Sequence, residues 1–300
     1  MATTSPRLAV AALDAMRSSG VTFALLHGAE RFSEERLSDV DVVTDADAAS
    51  VISASTAGWR EKGLRPVVSS CYNLGGTAVF LSTRDASDGV QLDLMFDPRG
   101  RGPYGLNSHE LLATAAIEGS FLQVSPEATL LYLWRKRIDK GQQERLRELR
   151  QGRKTIDRSG LLALSEALTG SPTTALEILG ELPPGSERRH FHPGGELSRL
   201  ARRVSRPIGF WAHASSQEIA VGLSKRFGRF LVSTTITETP HPARQPVWWL
   251  RKVLPFRLRP SLVTSWGRFP APLAPDAVLD AQQPDEAAIE LTSAMAARFS

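Results

Sequence analysis

Leu25-Leu26-His27-Gly28-Ala29 and, after a charged connection, Ser38-Asp39-Val40-Asp41-Val42-Val43 form the stretch on which the reading of this chain turns. An apolar run stops at a glycine, and the chain then returns with two aspartates flanking a valine. Side chains alternate along a strand, so Asp39 and Asp41 project from one face. Two ionised carboxylates this close repel by roughly 1 to 4 kcal/mol between the dielectrics of water and of a protein surface. A divalent cation removes that cost, and hard cations that take carboxylate oxygens also take phosphate oxygens. The pair therefore reads as a metal site.

Outward from it, helix and strand signals alternate. Ser5-Pro6 has the cap-then-proline pattern of a helix start, and Leu8, Ala12, Ala15 and Met16 follow at helical spacing. Val21 to Leu26 is a short apolar run of strand length, and Asp45 or Asp47 is placed to cap a helix running to Gly58. Leu64 to Leu74 and Thr77 to Thr83 read as strands joined at Gly75-Gly76. Val90 to Phe96 alternates, with Val90, Leu92, Leu94 and Phe96 on one face and Gln91 and Asp93 on the other. A carboxylate thus sits on an otherwise hydrophobic strand.

Further on, a helix is expected over Glu110 to Glu118, and a long amphipathic helix from Pro126 whose basic tail runs from Arg135 to Lys154. That basic run reads first as a solvated helix face. Leu161 to Leu168 and Thr174 to Leu179 are two more helices, and Pro183-Pro184-Gly185 opens a polar stretch with linker character. The expected division is a domain over 1–182, a linker over 183–204 and a smaller α/β domain over 205–300. In the last, Pro207 to Ala212, Phe230 to Thr237 and Pro275 to Asp280 are strand candidates, with helices over Gln217 to Phe227 and Pro284 to Phe299.

Composition sets limits. With 42% hydrophobic and 23% charged residues the chain is globular, and 300 residues suit two domains. No run of about eighteen apolar residues offers a membrane span, and no secretory leader is apparent. One cysteine, Cys71, excludes an internal disulfide and points to a reducing, cytoplasmic setting. A net charge of +4 does not require a nucleic-acid partner. His190-Phe191-His192 lacks an accompanying cysteine and reads as linker rather than as a zinc site.

The first half of the chain resembles the nucleotidyltransferase superfamily, whose polymerase-β-like fold is an α+β mixed sheet flanked by helices. The resemblance rests on Leu26-His27-Gly28-Ala29, nine residues, then Asp39-Val40-Asp41-Val42, with Asp93 on a later strand as a third carboxylate. Asp93-Leu94-Met95-Phe96-Asp97 and Leu130 to Gly141 are most similar to the bacterial nucleotidyltransferase-like proteins of polysaccharide and natural-product clusters. The likeness implies that Asp39, Asp41 and Asp93 are catalytic and hold Mg²⁺. It further implies that His27, Gly28, Ala29, Ser38 and Lys136 bind an NTP, with ATP the expected one, whose nucleoside monophosphate passes to a hydroxyl of a small molecule, sugar or protein. Ala29 departs from the pattern, since Gly or Ser usually stands there; a serine would donate to phosphate, and His27 is the candidate compensating donor. The competing reading is a catalytically silent nucleotide-binding or scaffolding protein that keeps the fold. The tail is faintly similar to a P-loop kinase domain, but between Gly209 and Gln217 no phosphate loop is present.

Overall fold

Strands β1 (Phe23–Leu25) and β2 (Val40–Thr44) are buried along their whole length, as their apolar runs require. They lie at the centre of the structure, a computed structural model that describes residues 5–33, 39–73, 76–97, 103–151, 157–186, 210–213, 216–227, 234–237 and 277–299. Around them are β3 (Leu64–Asn73), β4 (Gly76–Thr83), β5 (Gly89–Met95), β6 (Ala116–Glu118) and β7 (Phe121–Gln123). The seven strands form one mixed sheet in the order β3-β4-β5-β2-β1-β7-β6. The register that matters most is parallel: β2 runs beside β5 with Asp41 opposite Asp93.

Alternation along β2 and β5 sends Val40, Val42, Leu92 and Leu94 one way and the carboxylates, with Val43 and Met95, the other. Val40, Val42, Leu92 and Leu94 meet α1 (Pro6–Ser18) and α2 (Ala48–Glu61), whose Leu13, Met16, Val51 and Trp59 complete that core. Trp59 Nε1–H donates to the Ala12 carbonyl at 3.0 Å and so ties the two helices together. Asp47 caps α2, accepting from the Ala49 and Ser50 amides. Ser5 has the extended backbone of a cap before Pro6, but its hydroxyl makes no capping bond.

The other face is covered by α3 (Ser108–Ala113), α4 (Pro126–Asp139), α5 (Gln143–Gln151), α6 (Arg158–Thr169) and α7 (Thr173–Leu179). Leu131, Trp134, Leu161 and Ile178 from these helices join Ala24, Val43 and Met95 of the sheet in a second core.

Two expectations are corrected here. The helix expected over Glu110 to Glu118 ends at Ala113, and Ala116–Glu118 instead forms a hairpin with β7 about Gly119, whose φ is +63°. The local residues allow a helix, but β7 gains a place on the sheet by pairing in parallel with β1, Leu25 opposite Gln123. Pairing overrides the weaker local preference. The second correction concerns the basic helix. It stops at Asp139, Gly141 turns the chain at φ +68°, and α5 restarts at Gln143. Arg135 and Lys136 are 1% and 6% exposed, so this part of the run is buried rather than a solvated face.

In the C-terminal part, β8 (Phe210–His213), β9 (Thr234–Thr237) and β10 (Ala277–Val278) are parallel, in the order β10-β8-β9. Ile219 and Leu223 of α8 (Gln217–Phe227) and Leu291 and Met295 of α9 (Pro284–Ala296) share a third core with Val67, Ala78 and Phe80 of β3 and β4. Ala78 lies opposite Asp93 in the antiparallel ladder, so it shares a sheet face with that carboxylate. The C-terminal helices therefore pack on the carboxylate face, toward the β3 edge. Leu74-Gly75, most of the expected linker, His190-Phe191-His192 and Trp248-Trp249 lie outside the described residues.

A buried bond ties α4 to α7: Trp134 Nε1–H donates to Glu177 Oε2 at 2.8 Å. Arg150 donates to the Glu177 carbonyl at 2.6 Å and stacks its guanidinium over Trp134. Glu177→Ala orphans the indole donor and opens a gap between α4 and α7; we expect a loss of roughly 1 to 3 kcal/mol in urea unfolding. Glu177→Gln, which still offers an acceptor, should cost clearly less.

Candidate functional site

Asp41 follows from β2 pairing, Asp93 from β5 pairing, and Asp39 from the residue just before β2. Each offers a carboxylate oxygen, and these three oxygens lie within 4.8 Å of one another. Three of the sequence-derived residues are thus brought together. Asp41 is buried, while Asp39 and Asp93 are half-buried.

Oδ2 of Asp41 accepts from Lys136 Nζ at 2.5 Å and contacts His27 Nε2 at 2.7 Å. An ionised carboxylate only accepts, so the proton of that second bond belongs to His27 Nε2. Burial alone would raise the Asp41 carboxyl, but the Lys136 charge and the His27 hydrogen bond outweigh it and hold it well below the usual carboxylate range. Asp93 goes the other way. Burial and the neighbouring charge of Asp41 push it up to about 7, with Asp39 adding to the effect and the Gln91 hydrogen bond opposing it. Gln91 Nε2 donates to Asp93 Oδ1 at 2.8 Å. Two aspartates facing each other across one register are therefore split, one ionised and one holding its proton near neutrality, a pattern that separates acid and base roles.

The remaining sequence-derived residues fall around this cluster. Gly28 has φ +86°, a backbone conformation that favours glycine, while the space beside it would admit a Cβ. It leads into a 3-10 turn, Ala29–Ser33. The Ala29 amide, the expected anion donor, gives its hydrogen to Gln123 Oε1 at 2.9 Å. An anion at this amide has to displace Gln123. His27, Gly28, Arg31, Phe32, Asp39 and Val40 line a small, open depression beside the carboxylates. Ser38 lies outside the described residues.

Lys136 is buried against Asp41, with its ammonium 5.2 Å from the centre of the Tyr132 ring. Tyr132 also stacks on His27, at 6.0 Å, and meets Tyr104 edge-on at 5.6 Å. Tyr104 is held at φ +66°, and burial raises its hydroxyl pKa further above the ordinary range. Next to it the Gly105 carbonyl accepts from Arg135 at 3.1 Å. One turn beyond Lys136, burial and the Lys136 charge lower Lys140.

Sequence reasoning missed Gln123, Tyr132, Tyr104 and Arg31. Tyr132, Lys136 and Lys140 do recur every four residues on α4, the spacing of one helix face, and this was a usable signal. For Gln123 no local signal exists, because its strand had not been recognised.

No protein-family model matches the chain, nor does any curated protein or solved structure. Its class therefore rests on its own fold and site: a mixed α/β protein whose seven-stranded sheet, flanked by helices, carries a three-aspartate cluster against an internal lysine. No helix among the described residues is long and apolar enough to cross a membrane.

The split carboxylates make a signed prediction for the metal-free protein. Asp93 keeps its proton to about pH 7 when folded but loses it near the ordinary 3.8 when unfolded. Between those values the folded state binds more protons, so stability falls as pH rises from about 4 to 7 and then levels off. In EDTA at pH 8, Asp93→Asn should be more stable than wild type by on the order of 2 kcal/mol, and the difference should vanish near pH 4. Urea unfolding at both pH values checks this.

Proposed function

We propose that this protein is a Mg²⁺-dependent nucleotidyltransferase, moving a nucleoside monophosphate from an NTP, with ATP the expected donor, to a hydroxyl acceptor in a reducing, cytoplasmic setting. The observation that carries the proposal is the convergence of Asp39, Asp41 and Asp93 within 4.8 Å beside the Gly28 turn. Few other uses reward placing three carboxylates together on adjacent strands, where their mutual repulsion costs stability.

The donor set fits the ion. Magnesium takes one or two protein carboxylates and completes its shell with water and phosphate oxygens, and here Asp39, Asp41 and Asp93 would hold it. Bound there, it supplies Lewis-acid stabilisation of the polyphosphate oxygens. The chain's own residues do the rest. In this reading the phosphate chain lies over the depression lined by His27, Gly28, Arg31 and Asp39. The acceptor oxygen forms a bond to the α-phosphorus as the bond to pyrophosphate breaks, and pyrophosphate leaves. Asp93, ionised for this step, takes the hydroxyl proton on Oδ2, since Oδ1 is held by Gln91. The C-terminal helices α8 and α9 pack on the carboxylate face and form the acceptor side in this reading.

A second reading keeps the fold without turnover. It is favoured by Gln123 on the Ala29 amide and by Lys136 and His27 on Asp41 Oδ2. Pyrophosphate release from ATP with Mg²⁺ across a hydroxyl-acceptor panel separates the two. We expect release that falls at least a hundredfold in Asp41→Asn. Release that survives this substitution defeats the catalytic reading. Mg²⁺-ATP binding in calorimetry with no product for any acceptor selects the silent one.

A further inference from the structure

An acidic cluster this tight should be unstable without a cation, yet the fold already contains one. Lys136 is 6% exposed, and its ammonium lies 2.5 Å from Oδ2 of Asp41, a member of the carboxylate group. Its place is built. The Tyr132 ring lies beneath the ammonium at 5.2 Å, and Tyr132 is braced by Tyr104 and by the His27 ring. The helix that carries Lys136 is itself locked by Trp134 and Glu177.

We infer that Lys136 is a built-in counter-ion that competes with the divalent cation for Asp41, and is therefore a positioning residue rather than a ligand of the triphosphate. The inference rests on the metal-dependent reading of this same cluster. The charges explain the competition. A carboxylate oxygen that already accepts from Lys136 Nζ and His27 Nε2 has its lone pairs committed, so Oδ2 is closed to a metal while both donors remain. A monovalent and a divalent cation sharing one buried carboxylate also repel each other strongly. Loading through Oδ2 therefore requires the ammonium to leave, and an ion held on Oδ1 still meets its repulsion. In the unloaded protein the same ammonium keeps Asp41 ionised, aligned and ready, and it screens Asp39 and Asp93 from part of their repulsion. The cluster persists in either state because one cation replaces another. The cost is a weakened affinity for the free ion.

Mn²⁺ alone, followed by electron paramagnetic resonance, tests this without nucleotide or activity. Lys136→Met should bind Mn²⁺ at least tenfold tighter than wild type, whereas Lys136→Arg, which retains the charge, should stay near the wild-type affinity. Equal or weaker binding by Lys136→Met, where wild type binds, overturns the inference but leaves the metal-dependent reading standing. Absence of Mn²⁺ binding in wild type and in both variants defeats both. Should Lys136→Met fail to fold, amine labelling of the wild type gives a second readout. Lys136 should be protected in EDTA and become reactive on addition of Mn²⁺, and unchanged protection at saturating Mn²⁺ overturns the inference.

Discussion

The constraint on which the rest of the structure depends is the repulsion among three carboxylates gathered where the start of β2 runs beside β5. Parallel pairing puts Asp41 opposite Asp93, and neither can turn away, because the opposite sheet face is filled by Val42, Leu92 and Leu94 packed on α1 and α2. Two features among the described residues relieve the repulsion. Lys136 neutralises Asp41 directly, and Asp93 retains its proton until about neutrality. Everything that fixes α4 consequently bears on the site. Thr129 at its start donates to the Leu26 carbonyl, Trp134 in its middle is held by Glu177, and Tyr132 presents its ring to both His27 and Lys136.

A buried ion pair is a poor source of net stability, since desolvating two charges offsets most of their attraction. Its value here is one of position. With His27 and Lys136 both on Oδ2, the Asp41 carboxylate has a single orientation, and its carboxylate partners are set relative to it. The arrangement is one in which a tightly specified polar cluster is placed against well-packed apolar surroundings, as buried polar networks require if they are to specify one state.

Much of the architecture was legible because it rests on local patterns. Apolar runs at Phe23–Leu25 and Val40–Thr44, alternation along Gly89–Met95, the Asp47 cap and the helical periods of α1, α2, α6 and α7 all lie where periodicity and capping chemistry put them. The hairpin of β6 and β7 was not legible, because three-residue strands carry almost no period and their stability comes from the neighbour, β1. For the same reason Gln123 could not be foreseen beside Ala29. The basic run beginning at Arg135 misled for a different reason. Its composition is that of a solvated face, and only packing reveals that Arg135 and Lys136 turn inward, one to the Gly105 carbonyl and the other to Asp41.

By itself the sequence determined the central sheet strands, the glycine turn and the candidacy of Asp39, Asp41 and Asp93, because strand alternation and like-charge repulsion act over a few residues. The tertiary structure alone decided what those carboxylates face. Lys136 is 95 residues from Asp41 along the chain, and Gln123 is 94 from Ala29. Contacts at that separation depend on how helices dock on a sheet, which no local period encodes. Docking turned a surface-like lysine into the internal cation of the site.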